Sequence, residues 1–229
     1  MRGAFEYGGA GPGTKPQQSR WIKACQGETE MILSLQGCMA VGKTTVARYL
    51  QQHASGVQVY FENNSDVIAD VARLGLDKRR YPEYLQIQRL WIQHEIRRWH
   101  SAAEHRCSVM DFGAEEIEFY TLHYPQSIGQ SWPVEQDLAP ELAQLRRCMP
   151  QRILFLDAGE EELRRRKESD AERSRGFFEH YVQHLLPLKR AWFLGRGDVD
   201  VLRVDGLTPD QVGQAVQQWV ERCMQQAAL

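Results

Sequence analysis

Two glycines, a lysine and a threonine stand at fixed spacing within residues 37–44, which read Gly-Cys-Met-Ala-Val-Gly-Lys-Thr. Four residues separate Gly37 from Gly42, and Lys43 and Thr44 follow directly. The chemistry that this spacing serves is the binding of phosphate groups. Glycine permits the positive-φ turns that aim successive backbone N–H groups inward as a cradle for an anion. Lys43 would reach the terminal phosphates of a nucleoside triphosphate, and the Thr44 hydroxyl would ligate Mg²⁺. Ala40, Val41 and Thr45 complete the segment that would wrap the phosphates. A helix opening at this point would turn the positive end of its dipole toward them.

Such a loop needs a strand before it and a helix after it, and both are legible. Met31-Ile32-Leu33-Ser34-Leu35 is short and mostly apolar, as a buried parallel strand is. Val46, Ala47, Tyr49 and Leu50 supply the apolar face of a following helix. Further strands are predicted at 57–61, 107–110, 152–156 and 199–204. Between them helices are predicted at 66–74, 82–99, 115–123, 139–148, 160–167 and 177–192. Tyr124-Pro125 is expected to stop the third of these, and 126–137 reads as a loop. Thr208-Pro209-Asp210-Gln211 forms a capping box with proline at the first helical position, opening a terminal helix. Strands alternating with helices imply an α/β fold of three layers, a five-stranded parallel sheet between helices.

Length and composition bound the rest. With 229 residues the chain suits one domain with a substantial core. Residues 1–29 are glycine-rich and polar and read as a flexible tail before a single domain over 30–229. A net charge of −2 without a basic stripe argues against nucleic acid as a partner. No apolar run is long enough to span a membrane, and the N-terminus lacks a secretory pattern, so the expectation is a cytoplasmic protein. The five cysteines are scattered and no pair has metal-ligand spacing. Apolar residues on the long helix over 82–99 suit either the core or a homodimer interface.

The other acidic and basic residues discriminate among phosphate-loop proteins. No Asn-Lys-x-Asp guanine reader is present, and neither Asp111 nor Asp157 is followed by the catalytic glutamate of a remodelling ATPase. Asp111-Phe112-Gly113 lacks the companion motifs of a protein kinase. The order of motifs over 31–223 resembles the deoxynucleoside kinase and thymidylate kinase-like group. That resemblance implies an ATP-dependent phosphotransferase using Mg²⁺. It also implies a carboxylate at the end of the second strand near the general base (Glu62), an acid at the end of the third strand near the metal (Asp111), and an arginine-bearing lid after the fourth, near 164–176. The group's arginine after the third-strand acid is replaced here by Phe112. Gln86 stands where a glutamine often reads the nucleobase.

Phosphoryl transfer relies on positioning and charge stabilisation, and each residue type has a part in it. Lys43, Mg²⁺ on Thr44 and Asp111, and lid arginines would neutralise the phosphoryl oxygens. Glu62 would take the proton of the acceptor hydroxyl. Arg164, Arg165 and Arg166 follow three glutamates at helix-surface pairing distance, so Arg173 and Arg175 are the better lid candidates. Gln86, Arg89 and Gln93 form one polar stripe on the long helix. Gln86 and Arg89 from that stripe, with Glu62 and Tyr120, make the acceptor-binding set. The acceptor is expected to be a nucleoside or nucleotide, with a non-nucleotide metabolite or antibiotic second. An ATP-binding regulatory module or slow ATPase without an acceptor is the alternative from another class. The position of Glu62, in a pocket beside the loop or on open surface, separates the two.

Overall fold

The computed structural model describes residues 30–168 and 176–227; the expected tail over 1–29 lies outside them. Strand β1 (Met31–Gly37) is buried along its length and occupies the centre of the sheet. Helix α1 (Lys43–His53), β2 (Gln58–Tyr60), α2 (Ser65–Leu74), α3 (Tyr81–Ala102) and β3 (Cys107–Asp111) follow. Next come α4 (Ala114–Ser127), α5 (Val134–Asp137), and α6 (Ala139–Leu145) with a 3₁₀ turn at Arg146–Cys148. The chain then enters β4 (Arg152–Asp157), α7 (Glu160–Glu168), α8 (Gly176–His180), a π-helical stretch at Tyr181–Leu185, and α9 (Leu186–Leu194). It ends with β5 (Val199–Arg203) and α10 (Pro209–Ala227).

The five strands are all parallel in the order β2-β3-β1-β4-β5. Right-handed crossovers that leave β1 and β3 in opposite directions put their helices on opposite faces. Accordingly α1 packs with α10 on one face, and α3, α4 and α9 pack together on the other. The core between the layers contains Leu33, Leu35, Val109 and Phe155, each with no exposed surface. A fully buried side chain of this kind contributes roughly 1.5–3 kcal/mol. Because β1 pairs Leu35 with Asp111 and Gly37 with Leu156, the ends of β1, β3 and β4 share one edge of the sheet. In an open parallel sheet that edge is where ligands bind. No helix among the described residues is long and apolar enough to cross a membrane.

Three expectations need correction. Helix α4 does not stop before Pro125 but carries it inside, ending at Ser127. Proline has no N–H for the carbonyl four residues back. Here the Tyr84 hydroxyl, shared between Thr121 O and Tyr120 O at 3.0 Å each, supplies the missing donor. The helix expected over 177–192 is broken by the π-helical stretch, where Leu186 N reaches back five residues to Tyr181 O. Pro187, again without a donor, follows at once. The segment 126–137, read as loop, closes with the single turn α5.

The capping box at α10 forms in both directions. Gln211 N donates to Thr208 Oγ1 at 3.3 Å, and Thr208 N donates to Gln211 Oε1 at 2.9 Å. Thr208→Ala removes the side-chain acceptor and is expected to lower stability by about 1 kcal/mol. Urea unfolding with an unchanged slope would measure it, and an unchanged midpoint would refute the capping role.

Candidate functional site

The loop over 37–44 takes its shape from backbone that most side chains forbid. Gly37 has φ 146° and Gly42 has φ 102°, both positive, and Ala40 between them lies at φ 64°. A Cβ on residue 37 would stand 2.2 Å from Leu156 O, inside any permitted contact. Cys38 N donates to that same oxygen at 3.3 Å, which ties the loop to the end of β4. The Cys38 thiol is fully buried and donates to Asp157 Oδ1 at 3.4 Å. Burial first, and the Asp157 carboxylate second, push its pKa up to about 11. Asp157 is a buried ion-pair centre. Arg190 of α9 and Arg203 of β5 each lie 2.9 Å from it.

Lys43 Nζ donates to Cys38 O at 3.3 Å across the loop, and Thr44 Oγ1 donates to Asp111 Oδ2 at 3.0 Å. Asp111 is buried, and its Oδ1 has no hydrogen-bond partner among the described residues. A hydroxyl beside a carboxylate with a spare buried oxygen fits Mg²⁺, which takes one or two protein oxygens and completes its shell with phosphates and water. No group of three or more His, Cys, Asp or Glu side chains suited to a metal occurs among the described residues.

Two cavities open on either side of Lys43 and Glu62, and those two side chains line both. One, about 550 Å³, is walled by Ala40, Val41, Gly42, Thr44 and Thr45 of the loop with Arg165 and Arg166 of α7. The other, about 600 Å³, is walled by aromatic rings, among them Tyr84, Trp91, Phe112, Tyr120, Tyr124 and Tyr181. Glu62 stands at the junction, solvent-accessible and bonded by the Asn64 amide. Desolvation, reinforced by the Asp111 carboxylate and opposed by Lys43, raises its pKa above the ordinary carboxylate value.

The structure sorts the other expected residues. Tyr120 lines the ring-walled cavity. Gln86 does not: it is exposed, and Gln88 occupies the wall in its place. Tyr84, Ile87, Gln88 and Trp91 share the inward face of α3, and Gln86 lies roughly 200° around the helix from Tyr84 and from Gln88. Arg89, on the same outer side, is spent on Glu141 of α6 at 2.7 Å. Arg173 and Arg175 lie outside the described residues.

Several polar residues at the site carry no signal in a linear reading. Arg98 of α3 donates to Tyr60 O, Asp111 O and Phe112 O at 2.9–3.1 Å while pairing with Glu95 at 2.8 Å. It therefore clamps the ends of β2 and β3, and its guanidinium rests 5.2 Å from the centre of the Phe112 ring. Phe112 itself lies at φ 51°, unusual for a residue with a side chain. Glu115 is wholly buried and accepts from Ser34 Oγ, Gln36 Nε2 at 2.8 Å and Gly113 N at 3.0 Å. Arg166 donates to Val41 O at 2.8 Å and Val204 O at 2.9 Å, and it pairs with Glu162, which also holds Arg165. The arginine run is thus more than a solvated helix face.

A protein-family profile described as an AAA domain matches residues 33–188. Among solved structures, thymidylate kinase from Candida albicans is similar, with 17 % identity and a TM-score of 0.58 over 84 % of this chain and 92 % of that one. At that identity the likeness concerns the fold, which is a three-layer phosphate-loop fold of the kinase-like type. No curated protein matches in a sequence search.

Gly37→Ala is expected to distort the loop, because both the added Cβ and the positive φ are unfavourable. A thermal-shift titration should show Mg·ATP stabilisation lost in this variant, while Gly195→Ala, which meets nothing within 4 Å, keeps it. Equal stabilisation in both would refute the assigned steric constraint.

Proposed function

The chain belongs to the AAA-domain family, and we propose that it is an ATP-dependent kinase acting on a small molecule. It would move the γ-phosphoryl group to a hydroxyl of an acceptor bound in the ring-walled cavity. A nucleoside or nucleotide is the leading acceptor class. The observation that carries this reading is the pair of cavities that meet at Lys43 and Glu62. A donor site lined by the phosphate loop and an acceptor site lined by aromatic rings must share the point of transfer. An acceptorless ATP-binding module would leave the larger cavity without an occupant.

The chemistry assigns a part to each residue. The loop N–H groups and Lys43 hold the donor phosphates and stabilise the charge that spreads over the transferred group. Thr44 and Asp111 would hold Mg²⁺, which when bound supplies charge neutralisation at the phosphates. Arg165 and Arg166 of α7 wall the donor cavity with the loop residues. Glu62 accepts the proton of the acceptor hydroxyl while the oxygen of that hydroxyl forms a bond to the γ-phosphorus and the bond from that phosphorus to the ADP oxygen breaks. The balance is ATP and an alcohol to ADP, a phosphate monoester and one proton, which leaves Glu62 for solvent. A carboxylate whose pKa lies above the usual range is better matched to that proton than an unperturbed one.

Lys43→Ala is expected to abolish Mg·ATP stabilisation in a thermal-shift assay; stabilisation equal to the wild type would sink the assigned donor site. Glu62→Gln should keep Mg·ATP binding and lose transfer by about 10²–10⁴-fold. The base must be ionised, so the acid limb of kcat/KM in the wild type should lie above the pKa of an ordinary glutamate, with activity falling as pH drops through it. The same limb in Glu62→Gln, or full transfer by that variant, would remove Glu62 from the role.

A further inference from the structure

Helix α8, the π-helical stretch and α9 run on without a break from Gly176 to Leu194. Along a regular α-helix Tyr181 and Lys189, eight residues apart, would point roughly 80° away from each other. The stretch, in which Leu186 N reaches back five residues to Tyr181 O, takes up one extra residue. That residue turns the two side chains back to within roughly 20° of one line along the helix. Both accordingly line the ring-walled cavity, together with Gly37, Met39 and Lys43 of the phosphate loop. Such π-turns are rare in helices and recur at functional sites.

The two side chains bring hydrogen-bond donors that the protein does not use up. Tyr181 is 1 % exposed, and its hydroxyl has no hydrogen-bond partner among the described residues. A buried polar group left unpaired is costly, so its place on a cavity wall points to a partner brought by a ligand. Burial, with Cys38, Tyr120 and Glu116 adding to it, raises the pKa of this hydroxyl well above that of an ordinary tyrosine. It stays a donor at neutral pH. Lys189, also 1 % exposed, lies with Nζ 2.7 Å from each carboxylate oxygen of Glu116. An ammonium has three hydrogens, and Glu116 engages at most two of them.

The charge of the cavity suits an anion at this wall. Lys43, Lys78 and Lys189 line it against two carboxylates, Glu62 and Glu116. At Lys43 and Glu62 it meets the donor cavity, so the phosphoryl group passes between the cavities there. During that passage negative charge is spread over three phosphoryl oxygens. Donors fixed in advance around such charge, in a site shielded from water, are worth far more than donors in solution.

We propose that Tyr181 and Lys189 are catalytic residues that bind the phosphoryl group in transit from the side of the ring-walled cavity, facing Lys43 and the loop. The Tyr181 hydroxyl and the free ammonium hydrogen of Lys189 each donate to a phosphoryl oxygen. Neither gives up its proton, so the balance of the reaction is unchanged. Glu116 is the counter-ion that holds Lys189 in place until the phosphoryl group arrives. The assignment rests on the kinase reading and is independent of which acceptor is bound.

The test needs no acceptor, because water takes the phosphoryl group slowly in its place. Wild type, Tyr181→Phe, and the paired exchange Lys189→Met with Glu116→Leu are compared in three measurements. These are Mg·ATP binding, Mg·ATP hydrolysis, and binding of Mg·ADP with fluoroaluminate, a mimic of the phosphoryl group in transit. The paired exchange avoids leaving a buried carboxylate without its cation. Both variants should bind Mg·ATP as the wild type does. Hydrolysis should fall about tenfold or more in Tyr181→Phe and about 10²-fold in the paired exchange, with fluoroaluminate binding weakened in step. Wild-type hydrolysis and fluoroaluminate binding in a variant would overturn the assignment for its residue, whether or not the melting temperature falls. That outcome would make the residue an acceptor ligand or a structural one and leave the kinase reading standing. Mg·ATP and fluoroaluminate binding weakened equally would also overturn it, since the contact is then made in the ground state. So would a wild type that binds Mg·ATP but neither hydrolyses it nor takes up fluoroaluminate. A wild type that does not bind Mg·ATP would overturn both readings.

Discussion

Position 37 admits glycine alone, and the site is arranged around that restriction. Strand β1 ends against β4 so closely that a single added carbon would lie 2.2 Å from Leu156 O. This approach is what lets Cys38 N bond across to β4 and turns the chain upward at the edge of the sheet. The loop then delivers Lys43 and Thr44 to the place where β3 ends in Asp111. The β1 register with β3 and β4 is therefore part of the phosphate chemistry as well as of the fold.

A second layer of polar contacts keeps that edge in place from within the protein. Arg98 gathers the carbonyls that β2 and β3 present at their ends, and Glu115 gathers Ser34, Gln36 and Gly113 behind the loop. Buried polar groups are costly when unpaired and rigid when paired. Both clusters convert that rule into positional accuracy for side chains that face the cavities. The asymmetry between the two cavities follows from the same architecture. The donor side is built largely from backbone and one loop. The acceptor side is built from single side chains on α3, α4, α9 and the turn after β3.

That asymmetry explains what could be read from the chain beforehand. Phosphate recognition by backbone requires a contiguous string with glycines at set places, so residues 37–44 stand out. Strands β1 and β4 are equally legible because burial on both faces leaves them almost uninterruptedly apolar, and Thr208 to Gln211 display their cap in order. The acceptor wall has no such continuity. Its phase on α3 is set by Tyr84, Ile87, Gln88 and Ile92, and two residues on that buried face, Gln88 and Glu95, are polar. A reading that takes the polar stripe Gln86, Arg89 and Gln93 as the acceptor wall therefore selects the face of the helix that the structure turns outward. Pro125 misleads for a related reason. Its effect on α4 depends on a donor, the Tyr84 hydroxyl, from a helix far away in sequence. Lys189 and Glu116 lie 73 residues apart, and neither belongs to any local pattern.

The buried thiol within the phosphate loop has a consequence for how the protein withstands its surroundings. Thiolate, not thiol, reacts with peroxide and alkylating agents. A pKa of about 11 for Cys38 leaves roughly one part in 10⁴ ionised at pH 7. With its side chain sealed between the loop and Asp157, Cys38 is chemically quiet. A cysteine placed at the most sensitive turn of the chain is thereby kept from becoming a point of oxidative inactivation.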